Sequence, residues 1–259
     1  MATSNPEILV VDDDLDTCEN LRDILCDLGY TVQTAQSGPE ALELVRQTSF
    51  DLALLDFRMP GMDGLVLYRE IKRLSPSTVA IIMSAFLTAD TIDEAHGAGT
   101  WKVLSKPIDL GVVLPLLEEA LSWPTILLVD DDRDLCANLW DVLHDRGYRC
   151  SLAHSVPAST RLIQERQFDV VLLDLKLPEG SAQDVLRALH GAYPEAKVVL
   201  MTGFRSELQT LISDALAGSA DAVCYKPFDV DHLLGTITQL ISSSREPEPA
   251  SQPDPAPES

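Results

Sequence analysis

The sequence predicts two α/β domains in tandem, each a doubly wound parallel sheet of five strands with helices between them. Three observations predict it: a long internal repeat, short continuous apolar runs that alternate with helical patterns, and a Pro/Ser/Glu-rich segment with nothing to pack. The repeat is the strongest. Asp12-Asp13-Asp14 recurs as Asp130-Asp131-Asp132, Cys18 as Cys136, Asn20-Leu21 as Asn138-Leu139 and Gly29-Tyr30 as Gly147-Tyr148. Pro60 recurs as Pro178 and Ser84 as Thr202, and every one of these pairs stands 118 positions apart. Lys106-Pro107 recurs as Lys226-Pro227 at 120, so the second copy carries two extra residues between Thr202 and Lys226. A period this long means tandem domains, because solenoid units recur every ~20–50 residues.

In the first copy the strands read as apolar runs over 8–11, 31–35, 52–55, 79–83 and 102–104. Continuous rather than alternating apolarity suits strands covered on both faces. Helical patterns fill 15–28, 39–46, 64–74, 88–98 and 109–121. The first helix groups Cys18, Leu21, Ile24, Leu25 and Leu28 on one face. Gly111 and Pro115 weaken the last. The second copy repeats the order, with strands near 125–129, 149–153, 170–173, 197–201 and 222–224. Its helices fall near 134–145, 156–165, 182–189, 207–217 and 230–242. Strands that alternate with helices make right-handed parallel crossovers.

The expected domains are therefore 6–122 and 125–243, joined by Ser122-Trp123-Pro124. So short a link restricts their relative motion and is expected to pack the first domain's last helix against the second domain. Residues 244–259 are rich in Pro, Ser and Glu, lack a large apolar anchor and are expected to be disordered.

The bulk composition excludes several classes. The chain has 259 residues, 46% hydrophobic and 23% charged, enough for two sizeable cores. A net charge of −22 argues against nucleic-acid and anionic-membrane surfaces, which need clustered Lys and Arg. Five cysteines, an odd number without a C-x-x-C, suit reduced and mostly buried thiols. No basic n-region opens the sequence, and no apolar run approaches the ~20 residues of a membrane span. The expectation is a soluble, cytoplasmic protein.

In an open parallel sheet, chemistry gathers beyond the carboxyl ends of the strands. Asp12 and Asp13 follow the first strand, Asp56 ends the third, Ser84 the fourth, and Lys106 the fifth. The second copy offers Asp130, Asp131, Asp174, Thr202 and Lys226. Three crowded carboxylates cannot all ionise cheaply. A divalent cation resolves this, and hard oxygen ligands favour Mg²⁺, while the absence of His and Cys disfavours zinc. With the metal offsetting charge, Asp56 and Asp174 can each act as a nucleophile toward phosphorus. Lys106 and Lys226 would then pair with a phosphoryl oxygen, and the Ser84 and Thr202 hydroxyls would donate to another. Singly, each residue has a plainer role. An acidic run after a strand is often a helix N-cap, which Asp14 and Asp132 fill, and a strand-ending Asp is often a turn residue. The full ordered set in two copies reverses that judgement.

Both halves resemble bacterial response-regulator receiver domains, whose fold is that of the chemotaxis response regulator. The resemblance rests on Ile8-Leu9-Val10-Val11-Asp12-Asp13-Asp14, Leu54-Leu55-Asp56-Phe57-Arg58-Met59-Pro60-Gly61-Met62-Asp63-Gly64, Met83-Ser84-Ala85 and Ser105-Lys106-Pro107. The second half carries Ile126-Leu127-Leu128-Val129-Asp130-Asp131-Asp132, Leu172-Leu173-Asp174-Leu175-Lys176-Leu177-Pro178, Met201-Thr202-Gly203 and Tyr225-Lys226-Pro227-Phe228. It implies flavodoxin-like domains with strand order 2-1-3-4-5. Asp56 and Asp174 would be phosphoacceptors, served by a phosphohistidine on a sensor histidine kinase or a phosphotransfer protein. Mg²⁺ would be held by Asp12, Asp13 and Asp56 with the backbone carbonyl of Arg58, and by Asp130, Asp131 and Asp174 with that of Lys176. Asp12 and Asp130 would act partly through water, and both Lys-Pro bonds would be cis.

Departures from the family pattern are also visible. Val103 and Val223 stand where receivers place a switch aromatic, and Pro178-Glu179-Gly180-Ser181 departs from the usual turn. Phe86 and Phe204 are expected to screen the aspartates from water. The implied function is a tandem receiver protein, not an enzyme, that signals to an unknown downstream protein by contact. It has no effector stretch of its own, and its oligomeric state stays open. A phosphate sink for a hybrid kinase is a variant of that reading. Three readings of other kinds remain. A flavodoxin-like cofactor binder lacks the Ser/Thr/Gly-rich phosphate loop. A Mg²⁺-dependent Asp-nucleophile phosphatase meets Arg58 and Lys176 where a second Asp belongs. An idle scaffold does not explain two intact Asp, Ser/Thr and Lys sets.

Overall fold

A computed structural model of the chain describes residues 5–86, 88–178, 180–203 and 220–245. The first domain runs β1 (Glu7–Val11), α1 (Leu15–Asp27), β2 (Thr31–Ala35), α2 (Gly38–Gln47), β3 (Leu52–Asp56), α3 (Gly64–Leu74), β4 (Val79–Ser84), α4 (Ala89–Ala98), β5 (Lys102–Ser105) and α5 (Leu110–Leu121). The second runs β6 (Thr125–Val129), α6 (Arg133–Asp145), β7 (Arg149–Ala153), α7 (Val156–Glu165), β8 (Val170–Asp174), α8 (Ala182–Ala192), β9 (Lys197–Thr202), β10 (Ala222–Tyr225) and α9 (Val230–Arg245). Both sheets are wholly parallel, ordered β2-β1-β3-β4-β5 and β7-β6-β8-β9-β10. The order is 2-1-3-4-5 in each. The helix expected over 207–217 and Phe204 lie outside the described residues, as do 246–259.

Each sheet is covered on both faces because its central strands are apolar on both. In β1, Leu9 and Val11 join the core beneath α2 and α3, while Ile8 and Val10 join the one beneath α1 and α5. In β6, Leu127 and Val129 face α7 and α8, and Ile126 and Leu128 face α6 and α9. Leu52, Leu54 and Leu55 in β3 are fully buried, each contributing about 1.5–3 kcal/mol of apolar transfer free energy. The α1 face is narrower than expected: Cys18, Leu21 and Leu25 are buried, but Leu28, the C-cap, is exposed. Four of the five thiols are buried, and Cys26 is exposed. α9 continues through Arg245, two residues into the tail expected from 244.

The domains meet end to side. Asp51, Pro76, Ser77 and Trp101, all at amino ends of strands in the first sheet, face α6, β7 and the end of α7. Trp140 Nε1 donates to Pro76 O at 2.8 Å, Arg149 pairs with Asp51 at 2.7 Å, and Lys72 pairs with Asp141 at 3.0 Å. The Lys72 ammonium also sits 3.6 Å from the Trp140 ring centre. Trp123 of the link lies edge-on to Trp101 and to His144, with centroids 5.0 and 5.8 Å away, and His144 stacks on Trp140 at 4.5 Å. These contacts place α3, Gly99 after α4, and Trp101 at the junction. Trp123 of the link is half-buried and packs on the first core beside Trp101.

Candidate functional site

The expected residues come together at the carboxyl end of each sheet. The β1 strand ends at Val11, and Asp12 follows it fully buried, while Asp56 and Ser84 are the last residues of β3 and β4. Lys106 follows β5, with its N–H donating to Ser84 O at 2.8 Å. One oxygen from each of Asp12, Asp13 and Asp56 falls within 4.8 Å of the others, and Asp130, Asp131 and Asp174 form the same cluster. Two carboxylates of each cluster are buried and the third is exposed. That geometry gives a small cation three hard oxygen ligands and leaves one side open to solvent, which suits Mg²⁺.

A lysine stands among these acids. Lys106 Nζ lies 2.6 Å from both Asp12 Oδ2 and Asp56 Oδ1, and Lys226 Nζ lies 2.5 Å from Asp130 and 3.0 Å from Asp174. Burial raises the pKa of Asp56, Lys106 opposes that rise, and Asp12 and Asp13 add to it. Asp174 is raised in the same way by burial and Asp130, against Lys226 and the Lys176 N–H, which donates to Asp174 Oδ2 at 3.0 Å. Burial works to lower the pKa of both lysines, yet the paired carboxylates outweigh it and raise both. Each ammonium is thus held charged between two acids.

Local structure explains the placement. Asp14 and Asp132 cap α1 and α6 by accepting from Asp16 N and from Asp134 and Leu135 N. Asp12 Oδ1 accepts from Asp14 N at 3.1 Å, and Asp130 Oδ1 accepts from Asp132 N at 3.0 Å. The repeated cysteines have a part that sequence reasoning did not assign. Cys18 Sγ donates to Asp12 O at 3.4 Å and Cys136 Sγ to Asp130 O at 3.5 Å, fixing the acidic loops from below. His154 Nδ1 adds a contact to Asp130 O at 2.8 Å. The exact 118-residue offset of the two cysteines was the available signal.

The two sites differ where the turns differ. Gly64 brings α3 so close to β3 that a Cβ would stand 2.3 Å from Asp56 O. The second copy has Ala182 at the matching place. Its left-handed residue is Gly180 (φ +87°) rather than an equivalent of Gly61 (φ +82°), one position later, and Ser181 begins a capping box with Asp184. Ser84 Oγ donates to Phe86 O at 3.0 Å and accepts from Phe86 N at 3.2 Å. Phe86 itself is 65% exposed, its ring 5.5 Å from the Arg58 guanidinium, so it does not cover Asp56 as expected. Val103 and Val223 pack on the cores, and both Lys-Pro bonds are cis.

The family model described as the response regulator receiver domain matches residues 8–118 and 126–238. The chain belongs to the response regulator receiver family, in two copies. A response regulator receiver protein of Anaeromyxobacter sp. (strain Fw109-5) is 35% identical over 232 residues, covering 90% of this chain and 94% of that one. The transcriptional regulatory protein ZraR of Escherichia coli (strain K12) is 43% identical over 122 residues, 47% of this chain but only 28% of its own. Among solved structures, a CheY-like receiver domain protein from Methanospirillum hungatei JF-1 is 29% identical, covers 46% of this chain and 94% of that one, and has a TM-score of 0.44. Receiver domains are signalling modules of two-component systems. Among the described residues no helix is long and apolar enough to cross a membrane.

Proposed function

We propose that this tandem receiver protein accepts phosphoryl groups on Asp56 and Asp174 from a phosphohistidine on a sensor histidine kinase or a phosphotransfer protein. The observation that carries the reading is the same cluster built twice, three convergent carboxylate oxygens with a lysine bridging two of the acids. The residues fit Mg²⁺, with Asp12, Asp13 and Asp56 or Asp130, Asp131 and Asp174 as ligands and the carbonyls of Arg58 and Lys176 as further oxygens. Bound there, the metal would offset the negative charge that gathers on the transferring group.

The chain's own groups do the rest. A carboxylate oxygen of Asp56 forms a bond to phosphorus as the N–P bond of the donor breaks, and the electron pair returns to the imidazole. Lys106 leaves its ion pair with Asp56 to meet a phosphoryl oxygen, and the Ser84 hydroxyl turns from Phe86 O to meet another. Thr202 and Lys226 serve Asp174 in the same way. The signal then passes to a downstream protein by contact, in the cytoplasm, without turnover of an external substrate.

The test is acyl-phosphate labelling with acetyl phosphate and Mg²⁺, read by intact mass and by sensitivity to hydroxylamine. Wild type gains two hydroxylamine-labile groups, Asp56→Asn and Asp174→Asn one each, and the double variant none. Labelling of the double variant equal to wild type would overturn the assignment. Steady hydrolysis of a generic phosphate ester would move the protein to the phosphatase class.

A further inference from the structure

A cleft of about 770 Å³ lies between the domains, walled by the end of α2, the loop before β4, strand β7 and helix α7. In a chain of net charge −22, three arginines line it: Arg46, Arg161 and Arg166. Two buried hydroxyls face it from opposite domains, Ser77 at 7% exposure and Ser151 at 3%. Ser77 accepts from Arg166 Nη1 at 2.5 Å, so its own proton is free to donate.

Arg166 is the unusual member. A guanidinium offers five donors, and among the described residues this half-buried one uses a single donor, on Ser77. Its acidic neighbours are committed elsewhere, Asp51 to Arg149 at 2.7 Å and Glu165 to Arg161 at 2.6 Å. Burial lowers its pKa, Asp51 opposes that, and Arg149 adds to it. A charge taken partly out of water without a paired carboxylate is stabilised when an anion arrives.

We propose that this cleft binds a phosphorylated small molecule of nucleotide size, with Arg166, Ser77 and Ser151 on the phosphate. Guanidinium and hydroxyl donors match the oxygens of a phosphate dianion. Arg161 and Arg46 stand in exposed, weakly held pairs with Glu165 and Glu43 and can exchange them for the ligand. Leu74 and Leu162, one from each domain, give its organic part an apolar wall, and the volume suits a ligand of that size. Because both domains supply donors, binding clamps one against the other. The site is separate from the first aspartate cluster, since the loop before β4 lies at the opposite end of that strand from Ser84.

Calorimetric titration of the full chain with ADP and with inorganic pyrophosphate, in EDTA, tests the assignment. Chelation keeps the aspartate clusters metal-free and repulsive to phosphate. Saturable one-to-one binding is expected for at least one probe. Arg166→Gln weakens it by about tenfold or more, the loss expected for charged hydrogen bonds, and Ser151→Ala and Arg161→Gln weaken it by smaller factors. The latter two variants decide the matter if Arg166→Gln disturbs folding. Binding by the Asp56→Asn/Asp174→Asn double variant stays as in wild type. Absence of saturable binding for both probes overturns the proposal, as does unchanged affinity in Ser151→Ala and Arg161→Gln, or loss of binding in the double aspartate variant.

Discussion

Asp56 and Asp174 carry opposing demands: each is 5% exposed, each sits beside two other acids, and each has a raised pKa. A carboxyl raised above its unfolded value binds more protons folded than unfolded, so stability falls as pH rises through that window and the penalty persists at neutral pH. Asp56→Asn and Asp174→Asn are therefore expected to raise the metal-free melting temperature, by about 2–4 °C for each ~1 kcal/mol relieved. Saturating Mg²⁺ stabilises wild type and narrows the difference, since the variants lose a ligand. A lower metal-free melting temperature in both variants, read by calorimetry at pH 7, would mean that the lysine pairs outweigh the crowding. The acids, hydroxyls and lysines of the site were legible because they recur in order at strand ends. Cys18 and Cys136 were not assigned a role, because a buried thiol reads first as core and only coordinates reveal the carbonyl it meets.

At the scale of elements, apolar runs located every described strand but stopped one residue short at β3, β4, β5, β8, β9 and β10. The reason is physical: those strands end in Asp56, Ser84, Ser105, Asp174, Thr202 and Tyr225, side chains with polar groups that still belong to the ladder, and four of them, Asp56, Ser84, Asp174 and Thr202, stand at the site as well. Pro115 leaves α5 continuous from Leu110 to Leu121, so the proline expected to weaken the helix does not end it. The β3–α3 turn is more demanding. A Cβ at Gly64 would overlap the carbonyl of Asp56, and that backbone oxygen cannot move without moving the site. Gly64→Ala is expected to destabilise the chain by about 1–3 kcal/mol, as overpacking does, and to lower labelling of Asp56 while sparing Asp174. Urea unfolding and site-resolved mass spectrometry read the two effects. Ala182→Gly, at the matching place in the shifted turn, is expected to leave labelling of Asp174 intact, with only the backbone-entropy loss of about 0.5–1 kcal/mol. Equal labelling of Asp56 in Gly64→Ala and wild type would show that the close approach does not position the carboxylate.

For the molecule as a whole, the repeat revealed two domains, but it could not reveal how they meet. The residues that join them, Trp101, Trp123, Trp140 and His144, do not recur between the copies, and each alone reads as ordinary core. All three tryptophans of the chain lie at this junction, so its fluorescence reports on docking. His144 is buried against Trp140 and Trp123. Burial lowers its pKa and Lys72 lowers it further, while Asp145, the Gly99 backbone and Asp141 partly restore it. A histidine held below its unfolded value contributes stability that is present above about pH 6.5 and is lost as pH falls from there through the depressed folded value. The junction should therefore loosen on acidification, with a change in tryptophan emission and a larger radius in small-angle scattering. His144→Phe keeps a ring on Trp140 yet cannot take a proton, so it should remove the part of the transition that begins near pH 6.5 and leave any carboxylate-driven change at lower pH. An unchanged profile in that variant would show that His144 does not drive the loosening.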